Sequence, residues 1–452
     1  MMKLPRDILS VSLSEHLFPT KRELIPDIDD YYELELAFYE NQLLDDQELL
    51  RNGAYFAKIG DQFTRHFQMC AGESLRLPGH SSSRLKSFFE KNIFRTGYAT
   101  HGLFPYRGKF HPQMVKGLMN VMGLKPGDVV LDPMMGSGTV SVEASLMGFH
   151  SYGFDASPFC SFMAQTKLDA LTMPLERVRK AVANADKVFE YFRKRGSPVS
   201  GSKPARTAHL HFADEVMEEP VGYLTGGLQL PEGSDHETAK TYCFLLLAYL
   251  DAAGYSERST RKMPIEQFRS ILDRYVFVAE KIQAFQKSDH VVLGRAKVAQ
   301  GDARALPLEN ASMDGILFSP PYSFAIDYLD NDAFHLGYLG VDIERLQESM
   351  VGLRGRSLPE KFSLYQEDMK RVISECARVL KQSKFCTIIV GTNSNQIGKI
   401  LKQSPDEVEG LNEMLVRVGQ ERNLFLVRTM NRSIVGMSNT MRREQILLFQ
   451  RR

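Results

Sequence analysis

The chain lacks any apolar run close to the roughly 18 residues needed to cross a bilayer; the nearest, Tyr242 to Leu250, is about half that length. Its first residues, MMKLPRDILSVSLSEHLFP, set charges among the apolar positions and have neither the apolar centre nor the cleavage site of a secretory signal. No membrane partner is expected, and the chain reads as cytoplasmic. A surplus of one charge is missing too: 56 Lys and Arg stand against 55 Asp and Glu, a formal +1. Any polyanion must therefore be held by local basic patches. Cysteine is sparse, and Cys70, Cys160, Cys243, Cys376 and Cys386 are scattered without a CxxC pair. That argues against a disulfide framework or a cysteine zinc site and leaves them as small buried hydrophobes. His209 and His211 form an HxH with no third ligand nearby, so no metal is expected.

What is present suits a folded chain of several units. Its 452 residues allow two or three domains of roughly 150 residues, and 43% hydrophobic with 25% charged residues can bury a sizeable core. Residues 1–95 mix acidic and apolar positions at helical spacing, most clearly in DDYYELELAFYENQLLDDQELL, and predict a helical N-terminal region. From Lys125 the texture changes. KPGDVVLDP predicts a buried strand over Asp128 to Leu131, GSGTVSVEASLMGF a helix opened by small residues, and SYGFDAS a second strand ending in an acid. Strand, glycine loop, helix and strand begin a parallel sheet covered by helices, its first half over 96–170. The alternation breaks over 171–293, which reads as a mainly helical insertion containing the helix ERVRKAVANADKVFEYFRKR. It resumes over 294–452 with AKVAQGDA, MDGILFSPPY, a helix from Tyr365 to Leu380 and FCTIIVG. NLFLVRTM and QILLFQR are expected to pair antiparallel at the sheet edge.

In VVLDPMMGSGTVSVEA, Gly136 and Gly138 lie between strand and helix, where missing side chains let backbone N–H groups approach a ligand. The first strand ends in Asp132. Asp155 ends the next, where open α/β folds use a carboxylate to hold ribose hydroxyls, and Asp302 in GDA ends the one after. GxxxxGK[ST] is absent, which disfavours nucleoside triphosphate chemistry, and GSGT lacks the third glycine of GxGxxG.

MDGILFSPPY sets Phe318, Ser319, Pro320, Pro321 and Tyr322 directly after a strand. Two prolines cannot continue a ladder and hold the chain extended, so Ser319 and the neighbouring carbonyls are presented rigidly beside the flat face of Tyr322. Such a pocket accepts a planar group bearing an NH2, with oxygens as acceptors and a ring to stack on.

DPMMGSGT followed by SPPY resembles the DNA amino-methyltransferases that use S-adenosyl-L-methionine (AdoMet) to methylate exocyclic amines of cytosine or adenine. FPYRGKFHPQMVKGLM is similar to the segment preceding the glycine loop in many of them. The resemblance covers about residues 100–170 and 295–400. It implies an α/β, Rossmann-like AdoMet-dependent methyltransferase fold: a mostly parallel sheet with an antiparallel edge strand, a helical N-terminal region and a large insertion. It implies S-adenosyl-L-methionine as cofactor, with Asp132, Gly136 and Gly138 along it, Asp155 at the ribose, Asp302 at the adenine amine, and Phe104, Lys109 and Phe110 near the methionyl end. Pro133, Ser137, Thr139, Ala156 and Ala303 would complete that lining, and Ser319, Pro320, Pro321 and Tyr322 would be the catalytic motif.

The SPPY form implies cytosine N4 as the target, reached by base flipping and direct transfer. Adenine N6 in DNA is the near alternative; DPMMGSGT with EASLMG also resembles RNA guanine-N2 and adenine-N6 enzymes, and a catalytically silent DNA-binding protein is a third reading. Cytosine C5 chemistry needs a cysteine nucleophile, and no Pro-Cys dipeptide occurs. Duplex DNA is the expected partner, with a cognate restriction endonuclease as a candidate second one. Target recognition falls to the insertion, where Arg193, Lys194, Arg195, Lys203 and Arg206 suit phosphate contact, joined by Arg354 and Arg356 in GLRGRSLP.

Overall fold

The computed structural model describes residues 13–19, 21–26, 28, 30–71, 96–106, 108–196, 236–258, 263–321, 328–391, 393–433 and 443–452. Its N-terminal region runs α1 (Leu13–Leu17), β1 (Arg22–Leu24), α2 (Tyr31–Leu43), α3 (Asp46–Asn52), β2 (Phe56–Ile59), β3 (Gln62–Phe63) and α4 (Arg65–Cys70). The acidic stretch that reads as one helix is two, because Asp45 accepts from the Glu48 N–H while the Glu48 carboxylate accepts from the Asp45 N–H. That reciprocal cap starts a new helix. β1, β2 and β3 also form a small antiparallel sheet, absent from the helical expectation because strands this short carry no readable alternation.

The following elements are α5 (Pro112–Val121), β4 (Val129–Asp132), α6 (Thr139–Met147), β5 (His150–Asp155) and α7 (Pro158–Asp169). Next come α8 (Glu176–Val182), α9 (Ala185–Gly196), α10 (His236–Arg258) and α11 (Pro264–Ser288). The chain closes with β6 (Ala296–Gln300), β7 (Met313–Phe318), α12 (Tyr328–Tyr338), α13 (Ile343–Ser349), α14 (Leu358–Val379), β8 (Leu380–Gly391), α15 (Ser394–Leu401), α16 (Leu411–Gln420), β9 (Leu424–Ser433) and β10 (Arg443–Arg451). The 176–195 stretch, expected as one helix, breaks where the Asn184 amide bonds back to the Lys180 carbonyl. α14 starts at Leu358, seven residues before the expected Tyr365, because Ser357 caps it and a proline occupies its first turn.

Seven strands form the central sheet in the order β6-β5-β4-β7-β8-β10-β9. The first five run parallel, and β10 enters antiparallel to both β8 and β9. The expected antiparallel pairing of the last two strands is therefore present, with β9 at the edge. β4 and β7 are neighbours in register Val130↔Gly315 and Leu131↔Ile316, which brings Asp132 and Phe318 to the same end of the sheet. The connections leave β4 and β7 toward opposite sides, so a crevice opens beyond their C-terminal ends.

β7 is buried throughout, and its side chains alternate between two cores. Ile316 and Phe318 join Phe362, Tyr365, Met369 and Val372 of α14. Leu317 points the other way, into a core with Leu118 of α5, Val140 of α6 and Leu36 of α2. The described part of residues 171–293, expected as an insertion, does not stand apart: Phe244 of α10 and Leu272 and Tyr275 of α11 share a third core with Phe159 of α7 and Leu336 of α12.

Candidate active site

Beyond Asp132 the chain turns through Gly136 at φ +49° and Gly138 at φ +76°, left-handed conformations that L side chains rarely adopt. The Gly136 N–H donates to Asp155 Oδ2 at 2.8 Å and the Ser157 N–H to Oδ1 at 2.9 Å, so the acid at the end of β5 fixes the glycine loop. A Cβ on Gly138 would lie 2.6 Å from Ala164 Cβ; the loop seats on α7 because that atom is missing. Lys167, also on α7 and fully buried, donates to the Ser137 carbonyl at 3.2 Å, and burial drives its ammonium well below the usual range.

Asp132 Oδ1 accepts from the Met134 N–H at 3.1 Å, while Oδ2 is buried with no hydrogen-bond partner among the described residues. Burial, with Asp155 nearby, holds its carboxyl well above the usual carboxylate range. A buried carboxyl oxygen without a partner at the root of a glycine loop fits a polar ligand that supplies one.

A cavity of about 1000 Å³, its open mouth included, lies beyond the strand ends. Its walls bring together Pro133, Gly136, Ser137 and Thr139 of the loop, Asp155 and Ala156, Asp302 and Ala303, Lys109 and Phe110, and Ser319 and Pro321. The glycine loop and the serine–proline motif, far apart in sequence, thus face one space of a size suited to a nucleoside. Asp132, Gly138 and Pro320 lie buried beside it rather than on its wall. Phe104, expected near the methionyl end, is not on the wall. At φ +52° its N–H donates to Tyr275 Oη at 2.8 Å and its ring packs on Phe159, which places it in the helical core. Tyr322 lies outside the described residues.

Four stretches of wall were not expected from the sequence: Tyr106, Cys160, Leu329 with Asp332, and Ser349 to Val351. Tyr106 sits inside the FPYRGKF segment, but the others carry no motif. The Cys160 thiol donates to Tyr106 Oη at 3.5 Å, and burial pushes both groups well above their ordinary values, so the thiol stays protonated. Lys109 donates to the Thr96 and His101 carbonyls at 2.8 and 3.0 Å, with burial lowering it to about 8. His101 is a buried structural residue, its Nε2 2.7 Å from Glu143 Oε1.

Asp302 receives a fork from Arg304, Nε to Oδ1 at 2.8 Å and Nη2 to Oδ2 at 2.8 Å. Burial raises the Asp302 carboxyl, but the hydrogen bonds and charge of Arg304 outweigh it and hold it below the usual range. Arg354, expected at a phosphate, instead makes a two-point contact with Asp368, Nε to Oδ2 at 3.1 Å and Nη2 to Oδ1 at 2.8 Å. The reason is electrostatic: Asp368 is almost fully buried in α14, and a buried acid calls for the partners that Arg304 and Arg354 supply. Arg356 is exposed. Arg193 pairs with Glu190 one turn earlier, and Lys194 is exposed. Lys203, Arg206, His209 and His211 lie outside the described residues, as does the side chain of Arg195. Among the described residues no group of three or more His, Cys, Asp or Glu is placed to hold a metal ion, and no helix is long and apolar enough to cross a membrane. All five cysteines are free and buried.

The strand order, the glycine loop after β4 and the acid ending β5 define the Rossmann-like AdoMet-dependent methyltransferase fold. The family model described as RMKL-like, methyltransferase domain (UPF0020) matches residues 103–194. The chain is 24% identical to the type II methyltransferase M.MjaII of Methanocaldococcus jannaschii, over 67% of this chain and 74% of that one. It is 24% identical to the type II methyltransferase M.BsoBI of Geobacillus stearothermophilus, over 59% of this chain and 58% of that one. A 52-residue stretch is 40% identical to the tRNA (guanine(10)-N2)-dimethyltransferase of Methanothermobacter thermautotrophicus, covering 12% of this chain and 16% of that enzyme. By fold and relatives the chain is an AdoMet-dependent methyltransferase related to type II methyltransferases.

Proposed function

We propose that the protein transfers a methyl group from AdoMet to the N4 amine of a cytosine extruded from duplex DNA, as the modification half of a pair with a restriction endonuclease. The observation that carries this reading is the shared cavity: Ser319 and Pro321 face the space that Gly136, Ser137, Asp155 and Asp302 also line. Asp155, Asp302, Lys109, Phe110 and the glycine loop would hold the cofactor, with the orphaned Asp132 oxygen behind them. When bound, AdoMet supplies an electrophilic methyl on a sulfonium.

An exocyclic amine is a poor nucleophile because its lone pair is delocalised into the ring. Ser319 Oγ and a proline carbonyl accept its hydrogens and localise that pair, and the prolines keep both acceptors in place. Tyr322 supplies the face on which the flipped base stacks. The protonated Cys160 is no nucleophile, which supports direct transfer without a covalent intermediate. Two type II methyltransferases among the relatives support DNA as substrate, and the insertion over 171–293 is its candidate reader. The short likeness to a tRNA enzyme favours RNA guanine N2 as the second reading.

Incubation with tritiated AdoMet and unmethylated duplex DNA, followed by nucleoside analysis, tests the proposal. N4-methylcytosine is the expected product, and Ser319→Ala is expected to slow its formation roughly tenfold to a hundredfold, the range set by one hydrogen bond to a reacting group. N6-methyladenine would overturn the choice of base, and label in tRNA alone the choice of nucleic acid. The two loop arginines give a separate test by salt titration of DNA binding. Arg356→Ala is expected to lower the slope of log affinity against log salt by about one, and Arg354→Ala to leave it unchanged, because Asp368 already holds that guanidinium.

A further inference from the structure

Arg304 is bonded on three sides. Beyond its fork on Asp302, Nη1 donates to Asp368 Oδ1 at 2.9 Å and Nη2 to the Ser349 carbonyl at 2.7 Å. Asp368 in turn receives Arg354 through both of its oxygens. One buried carboxylate on α14 therefore ties together two stretches of cavity wall: Asp302 after β6, and Ser349 to Val351 at the C-terminal end of α13. α14 pins the same loop a second time, where Glu375 accepts the Leu306 N–H at 2.8 Å and Arg378 donates to the Leu306 and Leu308 carbonyls at 3.0 and 2.7 Å.

We propose that Asp368 is a positioning residue for cofactor selection: by fixing Arg304 it presents Asp302 as an acceptor-only carboxylate, so that the cavity takes an aminopurine nucleoside and rejects an oxopurine. The inference rests on reading the cavity as the cofactor's. An ionised carboxylate offers about four lone-pair sites and no donor. Arg304 fills most of that capacity, its backbone N–H and Nε meeting Oδ1 at 2.9 and 2.8 Å and its Nη2 and Nε meeting Oδ2 at 2.8 and 3.1 Å, while the Asp302 side chain, on the cavity wall, remains 48% exposed. What is left accepts an N–H and repels a carbonyl oxygen, which separates the amine of adenine from the oxygen of hypoxanthine. A site built to hydrogen-bond one group discriminates strongly against an analogue that leaves its polar atoms unpaired. Arg304 is suited to this by its planar fork. A lysine in its place would keep the charge but could not meet Asp302, Asp368 and the Ser349 carbonyl from one rigid group.

The test measures binding of S-adenosylhomocysteine and S-inosylhomocysteine by calorimetry to the full chain, as wild type, Asp368→Asn and Arg304→Lys, each checked for folding by circular dichroism. The wild type is expected to prefer the adenosyl ligand strongly. In both variants adenosyl affinity is expected to fall about tenfold while inosyl affinity changes little, so that the preference narrows. In the methylation assay the loss is expected in KM for AdoMet rather than in kcat. Asp368→Glu, which restores the charge, is expected to recover part of the preference. Folded variants that keep the wild-type ratio of the two affinities would overturn the role of Asp368 and leave the cavity assignment standing. A wild type that binds neither ligand would overturn the cavity assignment itself, and the inference with it.

Discussion

Gly138→Ala is expected to lower methyl transfer by about a hundredfold and to destabilise the protein by about 2–5 kcal/mol. Two effects add at this position. The backbone sits at φ +76°, where an L residue is strained by about 1–2 kcal/mol. The new methyl would also lie 2.6 Å from Ala164 Cβ and 3.1 Å from its Cα, in the body of α7, where nothing flexible can give way. Overpacking of this kind adds about 1–3 kcal/mol. The loop has one direction in which to escape, toward the cavity, and a shift of about an ångström there is enough to misalign reacting groups. Gly136→Ala is the informative contrast: its φ is +49°, but a Cβ there meets only the edge of Tyr106 at 3.4 Å. Calorimetric titration with S-adenosylhomocysteine and a denaturant melt on both variants check the order of effects. A milder Gly138 variant than Gly136 variant would mean that the loop does not seat on α7.

The loop was readable because its chemistry demands particular residue types in sequence: a glycine where φ is positive, an acid at the end of the next strand. Asp155 was expected to serve a ligand, and in the structure both of its oxygens also brace the loop, a second task that no spacing rule records. The parallel sheet followed from alternating strand and helix patterns, and β7 was legible from the short apolar run that ends at Ser319-Pro320-Pro321. What stayed hidden was contributed by topology. Asp332, Met350 and Val351 reach the cavity only because α12 and the turn after α13 fold over the sheet end, and their neighbours in sequence say nothing of that. Arg354 shows the limit of reading charge. In a loop rich in glycine and arginine it looks the same whether it meets a phosphate or a protein carboxylate. The sign that it meets Asp368 lies elsewhere, in an aspartate set among Phe362, Tyr365, Met369 and Val372 on the apolar face of α14. Phe104 fails for a related reason: its left-handed backbone turns the ring away from the neighbours with which it was read.

The largest loss of stability is expected from Glu143→Ala, about 3–5 kcal/mol, a fall in Tm of roughly 4 °C for a chain of this size. Glu143 lies on α6, the helix that the glycine loop opens, and is fully buried. Its Oε1 accepts from Tyr98 Oη at 2.5 Å and lies 2.7 Å from His101 Nε2, and its Oε2 lies 3.4 Å from the Lys116 ammonium. Truncation strands that ammonium in a site that is 1% exposed, which is the costly outcome of breaking a buried pair. Lys116→Met on top of Glu143→Ala is therefore expected to recover part of the loss, and the double-mutant cycle measures how much. Acid should attack the same cluster. Burial alone would raise the Glu143 carboxyl, but the Lys116 charge and the His101 hydrogen bond outweigh it and bring it from 4.5 to about 2. Its share of stability is complete above pH 4.5 and is lost as pH falls toward 2. Burial lowers His101 from 6.5 to about 4, so between those values the unfolded chain binds a proton that the folded one refuses, and stability again falls with pH. At neutral pH the ring is uncharged and donates from Nε2 to Glu143, which leaves buried Nδ1 an acceptor with no partner among the described residues. The wild-type Tm is expected to decline from pH 6.5 to 4 and to keep falling below it, whereas Glu143→Gln should flatten the limb below pH 4.5. An unchanged lower limb in that variant would place the acid sensitivity elsewhere in the molecule.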